Sequence, residues 1–238
     1  MLNAIGLANV GVDNYIAEKL SFLDGYRIGV IVNVAGFSFQ EYIEVCSMLA
    51  DCPRADMIEL NISCPNISSG GIEFGDNAKE VERVVSAVKK VFPRPIIPKL
   101  SPNVTDIAEI ARGAEAGGAD AISLINTLIG MTVNIETRRP TLSNNRGGLS
   151  GPAIKPIALS MVNRVYESVR VPVIGIGGAM NCRDVIEFML CGASAVQLGT
   201  ALFLQPDLPV IVERELKKYL KKQKLDTVTE LIGKLEKY

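Results

Sequence analysis

Short apolar runs rich in β-branched residues recur along the chain, and longer segments with helical periodicity lie between them. The strand candidates are RIGVIVNV (27–34), DMIELNI (56–62), PIIPKL (95–100), AISLIN (121–126), VPVIGIG (171–177) and AVQLGT (195–200). They are nearly continuous in apolar character, as strands buried on both faces should be. SFQEYIEVCSMLA opens on Ser38 with Glu41 three residues on, the spacing of a capping box. TDIAEIARGAEAGG closes on a glycine pair, which suits a helix C-terminus. Cys46 and Cys191 read as core residues of their helices.

Repeated βα units predict a parallel sheet with right-handed crossovers. Polar residues and glycines gather at the carboxyl ends of the strands: Asn33, Asn61 with Cys64, Lys99, Asn126 with Thr127, Gly177 with Gly178, and Gly199 with Thr200. Such a distribution over every strand predicts a (β/α)8 TIM barrel, whose C-terminal rim is the active face and whose last two strands commonly hold a phosphate. A doubly wound sheet would concentrate its ligand groups at one switch point. Only six strands can be counted. The expectation is a single barrel domain over 1–238 that is two strands short of eight.

Composition narrows the chemistry. With 238 residues, 48% hydrophobic, 21% charged and a net charge of −1, the chain reads as a soluble globular protein. No apolar run approaches a membrane span and no signal peptide opens the chain, so no membrane is expected. The near-neutral charge gives no pull toward nucleic acid, and the basic run KKYLKKQK reads as the solvated face of a helix. Five cysteines, at 46, 52, 64, 182 and 191, form no C-x-x-C pair. They argue for a reducing, cytoplasmic setting and against a metal site. Histidine is absent, so acid–base work falls to Cys, Lys, Asp, Glu or Tyr.

The glycine clusters GIGGAM (175–180) and QLGTAL (197–202) follow the last two strands and precede helices, a setting in which backbone N–H groups can meet an anion. RGGLSGPAIKP (146–156) adds a third such loop. Lys99 at a strand end brings a fixed positive charge to the rim, suited to an anionic flavin or an oxyanion. Asn33, Asn61, Asn66 and Asn126 offer both donors and acceptors to the edge of a planar heterocycle. Cys64, in a polar loop before a proline, is a plausible base for a weakly acidic C–H, because a few per cent of an ordinary thiol is ionised at neutral pH.

At these residues the chain resembles the class 1 dihydroorotate dehydrogenases, over essentially its whole length. NAIGL, ELNISCPN, IPKLSPN, INT, GGLSGPAIKP, GIGG and LGTAL stand in that family's order and spacing. NAIGL and ETRRPTLSNNRGGLSGPAIKP resemble the NAD-linked branch more than the fumarate-linked one. The resemblance implies that Cys64 removes the C5 proton of dihydroorotate while C6 delivers hydride to N5 of FMN. It implies substrate contacts from Asn3, Ala4, Ile5, Gly6, Leu7, Asn61, Asn66, Asn126 and Thr127. It implies FMN contacts from Asn33, Asn61, Lys99, Ile125, Gly151, Gly177, Gly178, Gly199 and Thr200.

The partners it implies are dihydroorotate and orotate, a separate subunit carrying FAD and an iron–sulfur cluster that passes electrons to NAD, and a homodimer core within a hetero-oligomer. Family members begin with two further strands and a helix, so the resemblance implies a barrel domain over 1–238 that is N-terminally incomplete, with the first two strands missing, and a chain of this length is expected to hold FMN weakly or not at all. Two other readings remain: a different FMN-barrel oxidoreductase acting on a pyrimidine, and a catalytically silent shortened barrel that acts only in assembly.

Overall fold

A computed structural model describes residues 1–62 and 75–238. In chain order the strands are β1 Leu2–Asn3, β2 Ile31–Val34, β3 Met57–Asn61, β4 Ile96–Leu100, β5 Ile122–Leu124, β6 Leu128–Gly130, β7 Val133–Asn134, β8 Arg139–Pro140, β9 Gly147–Leu149, β10 Val173–Ile176 and β11 Ala193–Gln197. The α-helices are α1 Val12–Asn14, α2 Phe39–Ala50, α3 Ala78–Val91, α4 Ile107–Ala116, α5 Lys155–Tyr166, α6 Cys182–Leu190 and α7 Leu208–Gln223. Two compact units divide the chain: unit 1 is Met1–Ala4, Ser101–Ile107 and Leu124–Tyr238, and unit 2 is Ile5–Leu100 with Ala108–Ser123.

In unit 2, β2, β3 and β4 pair in parallel, with Asn33 opposite Glu59 and Asn61 opposite Lys99. The register places those four side chains on one face, since residues two apart on a strand point the same way. Apolar residues of β3 and β4 (Ile58, Leu60, Ile96 and Leu100) are buried with Val81, Val84, Val85 and Val88 of α3. Helix α4 lies unusually close to α3. A Cβ on Gly113 would stand 2.3 Å from the Ala78 carbonyl oxygen, and one on Gly117 would stand 2.7 Å from that of Glu82.

The ends of these helices follow their sequence. Ser38 Oγ accepts the Glu41 N–H at 3.2 Å, but the Glu41 carboxylate turns to the Phe37 N–H, one residue before the cap. The expected capping box is thus displaced by one position. Asn77 caps α3 by accepting from the N–H groups of Lys79 and Glu80. At the other end of α2, Arg94 donates to the carbonyls of Leu49, Ala50 and Cys52, groups that a helix C-terminus leaves unpaired.

The strand expected over 27–34 starts only at Ile31. The Asp56 carboxylate takes the Val30 N–H at 2.7 Å, and Arg54 takes the carbonyls of Tyr26 and Ile28, so side chains replace a ladder there. Burial along β2 alternates, with Ile31 and Asn33 exposed and Val32 and Val34 buried. Its continuous apolar run therefore does not correspond to burial on both faces.

In unit 1, β10 and β11 pair in parallel, and the Ile125 N–H donates to the Ile176 carbonyl at 2.9 Å. Val185 and Met189 of α6 pack with Leu208 and Val212 of α7, Ala201 and Leu231. Strand β9 pairs antiparallel with both β1 and β6, and β7 pairs with β8. Six strands lie where the apolar runs predict them, with a helix between each consecutive pair and β6–β9 inserted before α5, which is the α/β pattern of a barrel-type fold. The last begins two residues earlier than expected, at Ala193, and ends three earlier, at Gln197, because Leu198 and Gly199 lead into a 3-10 turn at Thr200–Phe203. Among the described residues, no helix is long and apolar enough to cross a membrane.

Candidate functional site

Unit 2 assembles its polar face around a carboxylate. Glu59, in the middle of β3, is only 4% exposed. Its Oε2 accepts from Asn33 Nδ2 at 2.6 Å and from Lys99 Nζ at 3.4 Å, and its Oε1 accepts from Ser123 Oγ at 2.7 Å. A buried carboxylate is costly unless it is paired and hydrogen-bonded. Glu59 is both. Asn61, two residues on and on the same face, has its carbonyl held by the Tyr42 hydroxyl at 2.6 Å.

Thus Asn33, Asn61 and Lys99, three of the expected flavin contacts, share one face of unit 2, where Glu59 holds the Asn33 and Lys99 side chains. Glu59 and Ser123 were not anticipated. The available signal was an acidic residue inside an otherwise apolar strand, MIELN, which demands a buried partner. Ile5, Gly6 and Leu7 also belong to unit 2. Ile5 is exposed, Gly6 has a φ of +74°, and the Leu7 carbonyl accepts from Asn9 Nδ2.

Unit 1 carries a second amide group. Asn3 Nδ2 donates to the Gly148 carbonyl at 3.4 Å, and Asn126 Oδ1 accepts the Thr127 N–H at 2.8 Å. Gly148 is required where it stands, since a Cβ there would lie 2.4 Å from Thr127 Oγ1. Asn103, unanticipated, links the group. Its Nδ2 donates to the Thr127 carbonyl at 3.0 Å and its Oδ1 accepts the Ile129 N–H. Ala4, also in unit 1, is exposed.

The glycine loops of unit 1 also converge. A Cβ on Gly178, whose φ is +80°, would meet the Gly151 carbonyl oxygen at 2.6 Å, so the loop after β10 lies directly on the turn before α5. Gly177 lies over Ile125 and Ala158 in the same way. Thr200 Oγ1 donates to Ser150 Oγ at 2.9 Å, which joins the loop after β11 to the same turn. Around Gly199 the space that a Cβ would take is open. Behind the loops, Lys155 bridges Asp184 and Glu187 at 2.5 and 2.7 Å, and Asp184 Oδ2 accepts the Met180 N–H. Those carboxylates raise the Lys155 pKa. Gly151, Gly177, Gly178 and Thr200 are thereby brought together, with Ile125 beneath.

Cys64 and Asn66 lie outside the described residues. Burial pushes the Cys46 thiol up to about 12, and it raises those of Cys191 and Cys182, so the two core cysteines expected from sequence, Cys46 and Cys191, are poor nucleophiles, and so is Cys182. Among the described residues, no cluster of histidine, cysteine or acidic groups could hold a metal.

The donor set of unit 2, an ammonium and two amides on one face, fits the polar edge of a flavin. The glycine-lined loops of unit 1 fit a phosphate, since they leave backbone uncovered by side chains.

A family model described as dihydroorotate dehydrogenase matches residues 1–220. The chain is 52% identical over 236 residues to the "Dihydroorotate dehydrogenase B (NAD(+)), catalytic subunit" of Citrifermentans bemidjiense, a match covering 99% of this chain and 77% of that protein. It is 51% identical over 235 residues to the protein of the same name from Alkaliphilus oremlandii, and 48% identical over 236 residues to that from Bacteroides thetaiotaomicron. Each of these two matches covers 99% of this chain and 78% of the relative.

Proposed function

The chain belongs to the dihydroorotate dehydrogenase family, and on that premise we propose that it oxidises dihydroorotate to orotate in pyrimidine biosynthesis, as an FMN-dependent catalytic subunit. The observation that carries the cofactor is the face of unit 2 on which Lys99 and Asn33 are gathered by buried Glu59. FMN, when bound, supplies the hydride acceptor.

The chain's own residues do the rest. Lys99 places a positive charge where negative charge grows during reduction. Asn33 and Asn61 offer amides to the ring edge, and Ile125 supports it. Gly151, Gly177, Gly178, Gly199 and Thr200 receive the phosphate. Asn3, Asn126 and Thr127 orient the substrate by hydrogen bonds, together with Asn61 and Asn66, and the backbone of Ala4, Ile5, Gly6 and Leu7 lies toward the substrate carboxylate. Cys64 takes the proton from C5 of dihydroorotate and releases it to solvent.

Electrons then leave through a second subunit carrying FAD and an iron–sulfur cluster, with NAD as the final acceptor. Support for this comes from the relatives' designation as catalytic subunits of an NAD(+) enzyme. The assembly is a homodimer core joined to those partners in the cytoplasm.

Anaerobic mixing of the FMN-loaded protein with dihydroorotate tests the proposal. Bleaching of the flavin's visible absorption, with orotate formed in equal amount, is expected. Protein that holds FMN but is not reduced by dihydroorotate would refute it.

A further inference from the structure

We infer that Glu59 is a positioning residue that sets both the placement and the net charge of the groups facing the flavin, an inference that rests on the functional reading above. Three observations combine. Glu59 is buried in β3 yet receives an ammonium, an amide and a hydroxyl from three different strands: Lys99 of β4, Asn33 of β2 and Ser123 of β5. The register puts Asn33, Glu59, Asn61 and Lys99 on one face, so the carboxylate lies among the expected flavin contacts themselves. Its contacts are also graded. The neutral donors sit at 2.6 and 2.7 Å, and the ammonium sits at 3.4 Å.

Two consequences follow. The bond to Asn33 Nδ2 fixes which way that amide points, and so turns its Oδ1 away from Glu59 as an acceptor. Without Glu59 the amide could present either edge. The ion pair with Lys99 sets a negative charge beside that cation. Reduction of a flavin adds negative charge, so the balance of these two charges sets how easily the bound flavin accepts electrons. Ser123, fully buried, braces the carboxylate from the opposite oxygen.

Spectroelectrochemical titration of the FMN-loaded protein tests this, with four proteins in parallel: wild type, Glu59→Gln, Lys99→Gln and the double variant. Glu59→Gln removes the compensating charge and should shift the flavin reduction potential to more positive values. Lys99→Gln should shift it the opposite way, and the double variant should fall between the two. A purely structural Glu59 would change FMN affinity or folding without these opposed shifts. An unmoved potential in Glu59→Gln, or a shift in the same direction as Lys99→Gln, would overturn the inference.

Glu59→Asp is the second variant, should Glu59→Gln not fold. It keeps the charge and draws it back by one methylene, so FMN should bind roughly threefold to tenfold more weakly, the range of one hydrogen bond, with the potential near wild type. Unchanged affinity in Glu59→Asp would overturn the positioning role. FMN-loaded wild-type protein that shows these shifts but is not reduced by dihydroorotate would instead refute the functional reading, which separates the two failures.

Discussion

Two lysine–carboxylate groups, one in each unit, use the same residue types for different ends. In unit 1, Lys155 makes short bonds to Asp184 and Glu187, and Asp184 spends its other oxygen on the Met180 backbone. The two ion pairs tie α5 to α6, and the Asp184–Met180 bond ties α6 to the turn that precedes it. The group is a clamp. In unit 2, the shorter bonds of Glu59 go to Asn33 and Ser123, while Lys99 is held at 3.4 Å. Those contacts arrange polar side chains on the face of Asn61. The lesson is that the partners of an ion pair, more than its presence, separate framework from site. Bonds to backbone and helix build a fold, and bonds among side chains on one strand face prepare a ligand site.

If that division is right, the chemistry lies on the side of Glu59. Cys64 follows the same strand in sequence, and Cys64→Ser in FMN-loaded protein should slow flavin reduction by dihydroorotate by roughly 10²–10⁴-fold, the usual worth of a general base. The deficit should narrow as pH rises past the thiol's range, because serine is a far weaker acid. Stopped-flow reduction across pH checks this, and an unchanged rate would remove Cys64 from the mechanism.

The clamp should fail differently. Lys155→Met leaves a nearly buried Asp184 without its cation, and it should lower unfolding free energy by about 1–3 kcal/mol, between the values of exposed and buried pairs. Because the two carboxylates raise the Lys155 pKa, the wild-type contribution is complete below the ordinary lysine range and is lost as pH climbs through the raised value. Denaturant melts of both proteins at neutral and strongly alkaline pH should converge. Parallel curves would deny Lys155 this role.

An effect confined to alkaline pH belongs to the core of unit 2. With the Cys46 thiol pushed up to about 12, the unfolded chain ionises there first. Stability should therefore fall as pH rises from the ordinary thiol range toward that value, by up to about 1.4 kcal/mol per pH unit for a single group. Cys46→Ala should flatten this slope, although it lowers stability at neutral pH.

Much of this was legible in the chain. The six parallel strands announce themselves as apolar runs, and the polar residues at their ends mark Asn33, Asn61, Lys99, Asn126 and the glycine pairs. Burial on both faces was misjudged for β2, because apolar composition records what a strand tolerates and cannot say which of its faces is covered. The short antiparallel strands β6 to β9 escaped notice, since two- and three-residue strands carry no periodicity. Glu59 escaped because a single acidic residue in an apolar run reads as noise until its partners, brought from strands 26 to 64 residues away, are known. Asn103 escaped for the same reason: its two hydrogen-bond partners beyond Ser101, Thr127 and Ile129, lie across the unit in β6 and the turn before it.

The comparison of the two lysines rests most directly on one titration, that of FMN against Lys99→Gln and Lys155→Gln side by side. Loss of a hydrogen bond to a charged group at the site should weaken FMN binding to Lys99→Gln by roughly tenfold or more. Lys155→Gln should be the less stable protein and yet keep its affinity for FMN. Equal losses in the two variants, or full affinity in Lys99→Gln, would contradict the assignment of the Glu59 face as the flavin site.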